Sequence, residues 1–221
     1  MHSEFVDTLR CLSIHEESWL VVAADETVGR HVMRGLLGCP VCHARYPIER
    51  GIADFANGAV RPIALERDDA GADDAEADQA AALKLAAMLD LTDSSGYVIL
   101  VGEWARLGAA LREIVPILVL AVNAPPDVTM GDGVSGVTTL DRIPVAASSA
   151  RGIAFAPPGR NDGDRLELPA ALGAVRPDGR VVALASVPEP DGVAIVARDA
   201  SHWVARRTSG APLIRLVRNP G

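Results

Sequence analysis

Three cysteines and a histidine are spaced to serve one metal ion. Cys39-Pro40-Val41-Cys42 is a C-x2-C pair, and that spacing lets a single tight turn aim two thiolates at one point. Cys11 offers a third thiolate, and His15, four residues on, offers an imidazole. Zn²⁺ takes four such ligands in a tetrahedron. The pattern is C-x3-H…C-x2-C, with residues 16–38 between its halves. All three cysteines fall within the first 42 residues, and an odd number in a reducing compartment argues against a disulfide framework. A redox C-x2-C opens a helix after a strand, whereas here Pro40 and Pro47 flank the pair. Free buried cysteines are the plain structural alternative. His31, inside the insert, is the substitute for His15 as fourth ligand. His43 adjoins Cys42 and is badly placed for the same ion, and His2 reads as a frayed end.

The elements that must hold these ligands are short. Residues 19–22 and 33–37 read as strands and residues 25–27 as the turn between them, which makes a zinc-ribbon-like module of two knuckles. Past the pair the chain reads Tyr46-Pro47-Ile48-Glu49-Arg50-Gly51-Ile52-Ala53-Asp54-Phe55. Tyr46, Ile48, Ile52 and Phe55 are spaced to cap a small core beside the metal, and Gly51 marks a turn. Over about residues 8–56 this resembles the small zinc-binding family that includes the activator subunit of tRNA and protein methyltransferases. That family carries C-P-x-C, then Y/F-P-I/L, then G-I-P. Two departures stand out: Cys-x3-His replaces the usual first C-x2-C, and Ala53 replaces the proline. The resemblance implies one structural zinc in a module of residues 1–60.

Residues 66–78 hold seven acids against Arg67, and residues 61–79 read as a solvated acidic linker running into a helix at 75–91. Leu83, Ala87 and Leu91, or Leu85, Met88 and Leu89, give that helix its apolar stripe. Strands then follow at 97–101, 117–122, 136–140, 151–156 and 180–186. Helices are expected at 103–115, 166–175 and 191–198, with Arg176-Pro177-Asp178-Gly179 closing the second. Residues 202–208 and 212–218 read as a terminal hairpin. The expected class is α/β: a mostly parallel sheet over residues 80–221, covered on both faces, with a C-terminal antiparallel hairpin and the small module in front.

This layout resembles the class I methyltransferase fold, a Rossmann-like fold whose methyl donor is S-adenosylmethionine. Ala170-Ala171-Leu172-Gly173-Ala174-Val175-Arg176-Pro177-Asp178-Gly179-Arg180-Val181-Val182 is similar to the family's "L-R-P-G-G-R-L-V". Arg142-Ile143-Pro144-Val145-Ala146-Ala147-Ser148-Ser149-Ala150-Arg151-Gly152-Ile153 is similar to its "R-L-P-F-x-D-x-S-F-D-x-V". The resemblance covers about residues 80–218 and implies cofactor contacts at Gly102, Glu103, Asn123 and Asp141. Gly102 matches the first glycine of the family's acidic-x-G-x-G-x-G turn, but Trp104 and Arg106 occupy the other two places and Leu100 replaces the acid. Asn123 stands where an acid normally binds both ribose hydroxyls; an amide can accept one such bond and donate another. Thr139 holds the place of the adenine-contacting acid, with Asp141 two residues later.

No catalytic residue emerges. Ala156-Pro157-Pro158-Gly159 lacks the polar and aromatic ends of Asn/Asp-Pro-Pro-Tyr, and Asn123-Ala124-Pro125-Pro126 has an extra residue. His202 with Asp199 is an acid–base pair only on paper, since a lone histidine at a strand edge is ordinarily a surface or core residue. The expectation is a zinc-binding, methyltransferase-like protein with an eroded cofactor site, acting as a scaffold or as the regulatory partner of another protein. The alternative is a working S-adenosylmethionine-dependent methyltransferase with its activator fused in front.

Composition bounds the rest. Twenty-one basic residues against 29 acidic give a net charge of −8, and aromatics make up 4%, which argues against nucleic acid as a partner. The longest run without a formal charge is residues 114–126, broken by Pro116 and too short to cross a bilayer, so no membrane partner is expected. Met1-His2-Ser3-Glu4 opens no secretory leader, and a cytoplasmic location is the expectation.

Overall fold

Turn chemistry builds the first strands. A computed structural model describes residues 1–60, 72–156 and 165–209. After a one-turn helix α1 (Ser3–Val6), strands β1 (Val21–Val28) and β2 (His31–Gly38) form a hairpin about Gly29-Arg30. The turn expected at residues 25–27 lies inside β1. The ladder absorbs Asp25 as a bulge and turns at Gly29, whose φ of +58° costs a glycine nothing. Strands β3 (Arg45–Glu49) and β4 (Ile52–Asp54) pair across Arg50 and Gly51, both at positive φ as a two-residue type I′ loop requires.

Helix α2 (Ala72–Met88) starts within the acidic run, three residues earlier than expected. There follow β5 (Tyr97–Val101), a 3₁₀ helix (Gly102–Leu107), α3 (Gly108–Ile114), β6 (Leu118–Val122), β7 (Val134–Thr138) and β8 (Ala150–Phe155). The chain then forms α4 (Leu168–Ala171), β9 (Val175–Leu184), β10 (Val193–Arg198) and β11 (His202–Arg207).

These strands form one mixed sheet in the order β1-β2-β3-β4-β7-β6-β5-β8-β9-β11-β10. Its five central ladders, from β4–β7 to β8–β9, are parallel. The five outer ladders are antiparallel: three lie within residues 21–54 and two at the C-terminal edge, so the parallel character expected over residues 80–221 holds in the middle of a larger mixed sheet that the N-terminal strands extend. Strands β5 and β8 are buried along their whole length, β5 wholly apolar and β8 with Arg151 as its one charge, as suits parallel strands covered on both faces. The order of succession reverses between β5 and β8, and the crevice outside the carboxyl ends of strands at such a point is where open α/β sheets bind ligands.

Two apolar clusters flank the sheet. Helices α2 and α3 cover one face with Leu85, Leu89 and Leu111 over Leu100, Val119 and Ala154. The other cluster runs without a break from Leu37, Tyr46 and Ile48 to Ile99, Leu120, Ile153 and Trp203. Neither residues 123–133 nor residues 139–149, which link β6–β7 and β7–β8, contain a helix. The N-terminal segment covers that face instead. Arg10 N–H donates to Pro144 O, Ala146 N–H donates to Thr8 O, and Phe5 and Leu9 are buried beneath.

Three expected elements are corrected. Residues 191–198 are not a helix: Val193–Arg198 is an edge strand paired with β11, and its exposure on both faces hides the two-residue period. The helix expected at 166–175 shrinks to Leu168–Ala171 plus a 3₁₀ turn, because Val175 is pulled into register with Ala150 and opens β9. Arg176-Pro177-Asp178-Gly179 is consequently a bulge within β9, not a turn before it. The first arm of the expected terminal hairpin is β11, which pairs instead with the preceding strand β10; the expected second arm, residues 212–218, lies outside the described residues. Ile52 alternates away from Ala53 and packs with the α2–α3 face, not with Tyr46 and Phe55.

Candidate functional site

The four expected metal ligands meet. Cys11 and His15 sit on the loop after α1, and that loop is closed by Cys11 N–H donating to Ser18 O. Cys39 follows the last residue of β2, and the turn to Cys42 is held by Cys39 N–H to Ala44 O and His43 N–H to Cys39 O, with His43 at φ 60°. The three Sγ atoms and one ring nitrogen all lie within 4.8 Å of one another. Cys11 Sγ is 3.6 Å from Cys42 Sγ, and Cys39 Sγ is 3.4 Å from His15 Nε2. A tetrahedral zinc with Zn–S bonds of about 2.3 Å has sulfur–sulfur edges of about 3.8 Å, so this donor set fits zinc in both chemistry and size. His15 Nδ1 donates to Glu16 O at 2.5 Å, which fixes the tautomer and leaves Nε2 facing the thiols. His31, the substitute ligand, is engaged elsewhere: its Nε2 accepts from Gly133 N–H.

The surroundings set the charge of the ligands. Burial works against the Cys11 thiolate, but hydrogen bonds from Tyr46 and Ser13 outweigh it and bring the thiol down to about 6. The hydrogen bond to Glu16 O, followed by the Cys11 sulfur, lifts His15 to about 9. Ser13 also lowers Cys42, while burial raises Cys39. The Tyr46 hydroxyl lies 3.2 Å from Cys11 Sγ, and its ring stacks on Phe55 at 4.3 Å. Sequence reasoning read Tyr46 only as core; its spacing from Cys42 gave no sign of the contact to Cys11.

At the carboxyl ends of β5 and β6 the expected cofactor residues are placed as follows. Gly102 follows β5 directly, buried and at φ +62°, and opens the 3₁₀ helix. Glu103 is exposed and ion-pairs with Arg106 at 2.7 Å, and Arg106 also pairs with Asp127 on the loop after β6. Trp104 turns toward the α2–α3 face and lies against the His202 ring at 5.3 Å. Asn123 is buried at the end of β6. Its Nδ2 donates to Thr139 O at 2.9 Å and its Oδ1 accepts from Thr139 N–H at 2.8 Å. Asp141 is exposed on the loop after β7. The structure thus sets Gly102 and Asn123 on neighbouring strand ends, with Asp141 out toward solvent.

His202 and Asp199 do not form a close pair: Nδ1 is 3.7 Å from the nearest carboxylate oxygen. That carboxylate caps its turn instead, accepting from Ser201 N–H and His202 N–H at 2.7 Å each, and its other oxygen meets Lys84 on α2. The Pro157-Pro158-Gly159 stretch lies outside the described residues. A separate cavity of about 660 Å³ lies over β3, β4 and β7, with Asp54, Pro125, Met130 and Thr138 in its wall and none of the four expected cofactor residues. Among the described residues no helix is long and apolar enough to cross a membrane.

No protein-family model matches the sequence, and no curated protein matches it. Among solved structures, an S-adenosyl-L-methionine methyltransferase from Silicibacter pomeroyi DSS-3 aligns with 63% of this chain and 99% of its own, at 19% identity and a TM-score of 0.41.

Proposed function

We propose that this chain is a zinc-holding, methyltransferase-like scaffold or regulatory protein that does not itself transfer methyl groups. The observation that carries the reading is the use already made of the groups at the carboxyl ends of β5 and β6. Asn123 spends its amide on both backbone groups of Thr139, and Arg106 is held between Glu103 and Asp127. Zinc at Cys11, His15, Cys39 and Cys42 would cross-link two loops and stabilise the fold, the role of a closed four-ligand site with no open position. A protein partner is supported by the large apolar side chains left exposed on the ligand loops and the start of β1: Ile14, Trp19, Val21 and Val41.

The second reading, an active methyltransferase with its activator in cis, draws on one observation. β4 pairs in parallel with β7 through Ile52–Gly136, Ala53–Val137 and Asp54–Thr138, so the zinc module extends the sheet itself. Calorimetric titration of the zinc-loaded full chain with S-adenosylmethionine separates the two. The scaffold reading expects no saturable heat at millimolar ligand, and clear saturable binding overturns it.

A further inference from the structure

A cleft of about 450 Å³ opens where β2 meets the β6–β7 loop, and its walls are basic. His2, Arg30, His31 and Arg112 all line it. The two imidazoles are each 7% exposed and meet edge to face with ring centres 4.9 Å apart. His31 Nε2 accepts from Gly133 N–H at 3.1 Å, so the proton of the neutral ring is on Nδ1. His2 Nδ1 accepts a long bond from Glu4 N–H at 3.3 Å. Arg112, on α3, donates Nη1 to Ile117 O at 2.6 Å and has no carboxylate within 4 Å among the described residues. Its pose depends on Gly133, where a Cβ would fall 2.2 Å from the guanidinium carbon. The charged and titratable groups around the cleft are therefore Met1 N, His2, Arg30, His31 and Arg112, against Glu4, which pairs with Arg30 at 2.8 Å, and Asp132. Such a gathering of basic groups is a local feature in a chain whose net charge is −8.

We propose that this cleft binds a phosphoryl oxyanion, free or at the end of a small metabolite, with Arg112 as its fixed fork and His2, His31 and Arg30 as further donors. An arginine whose guanidinium still has donors to give is the side chain best shaped for a tetrahedral anion. Burial, then the neighbouring cations, lower both rings, His31 to about 4 and His2 below its ordinary value against the opposing pull of Glu4. A bound anion supplies the missing counter-charge. The proton taken up on binding falls to His2, because His31 Nε2 is committed to Gly133 whereas the His2 bond to Glu4 is long. For an anion of fixed charge, affinity therefore rises as the pH is lowered.

The test is calorimetric titration of the full chain with inorganic phosphate and, in parallel, glycerol phosphate, with the imidazole nitrogens of His2 and His31 followed by NMR. Saturable binding is expected, tighter at pH 6 than at pH 8 once the ligand's own loss of its second charge is allowed for, with both rings shifting and with about tenfold loss in Arg112→Gln. Tighter binding of the ester assigns the site to a phosphorylated metabolite, and equal binding assigns it to the free anion. If Arg112→Gln fails to fold, Arg30→Gln and the pH dependence of the unaltered chain carry the test. No saturable binding at millimolar concentrations, or binding that leaves both rings unmoved and is displaced equally by chloride, overturns the proposal.

Discussion

Cys39 is the ligand whose loss the fold can least absorb. It is buried at the end of β2, whereas Cys42 is exposed. Cys39→Ser is expected to abolish zinc binding, read as metal per chain by elemental analysis, and to destabilise the protein with it. His15→Ala should lose zinc affinity, while His31→Ala should keep the metal because His31 faces Gly133. Tyr46→Phe keeps the stack on Phe55 but removes the hydroxyl beside Cys11, and should cost about tenfold in zinc affinity by competition with a chelator. The cluster of Cys11, His15, Cys39 and Cys42 was legible in the sequence because three cysteines and a spaced histidine are a sparse, chemically specific signal. Asn123 was legible only as a replaced acid. Its amide is needed by the fold: a carboxylate there could not donate to Thr139 O, so Asn123→Asp should destabilise the chain by about 2 kcal/mol in denaturant unfolding.

Single elements are held by caps that alternation cannot reveal. Asp54, the last residue of β4, accepts from Ala56 N–H, Gly58 N–H and Thr138 Oγ1 and so ties the shortest strand to β7. Asp54→Ala should cost about 1–3 kcal/mol, and Thr138→Val less, in denaturant unfolding. At the other edge, the backbone N–H groups of Ser201 and His202, and then Lys84, hold the Asp199 carboxyl at about 2. A depressed carboxyl stabilises the fold above its ordinary range and loses that contribution as the pH falls through its folded value. Asp199→Ala should therefore lower the melting temperature near neutral pH, with the difference closing toward pH 2. The buried strands β5 and β6 were readable because they are apolar without interruption, and β8 because only Arg151, near its start, interrupts the apolar run. β10 was not, because an edge strand exposed on both faces shows neither the two-residue nor the 3.6-residue period. The bulge in β9 was hidden for a different reason: Pro177-Asp178-Gly179 is turn chemistry, and only pairing with β8 on both sides keeps it within a strand.

At the scale of the whole molecule, the separation into a zinc module, a linker and a sheet domain that the sequence suggests meets one sheet to which both the module and the sheet domain contribute strands. The cluster containing Leu37, Tyr46 and Ile48 is continuous with Ile99, Leu120 and Val137, and Phe5 meets Tyr97 edge to face at 5.1 Å. Residues 1–10 cover the face that the helix-free connections around β7 leave open, so removing the module would strip both a sheet neighbour and a core layer. Burial shared in this way couples unfolding, and a ligand bound only by the folded state raises the midpoint of the entire coupled unit. Scanning calorimetry of the zinc-loaded chain is therefore expected to give one transition whose calorimetric and van't Hoff enthalpies agree, and a strong chelator should move that whole transition to lower temperature. Two separate transitions, with only the smaller one responding to the chelator, would mean that the module is an appended domain and that the zinc reports on itself alone.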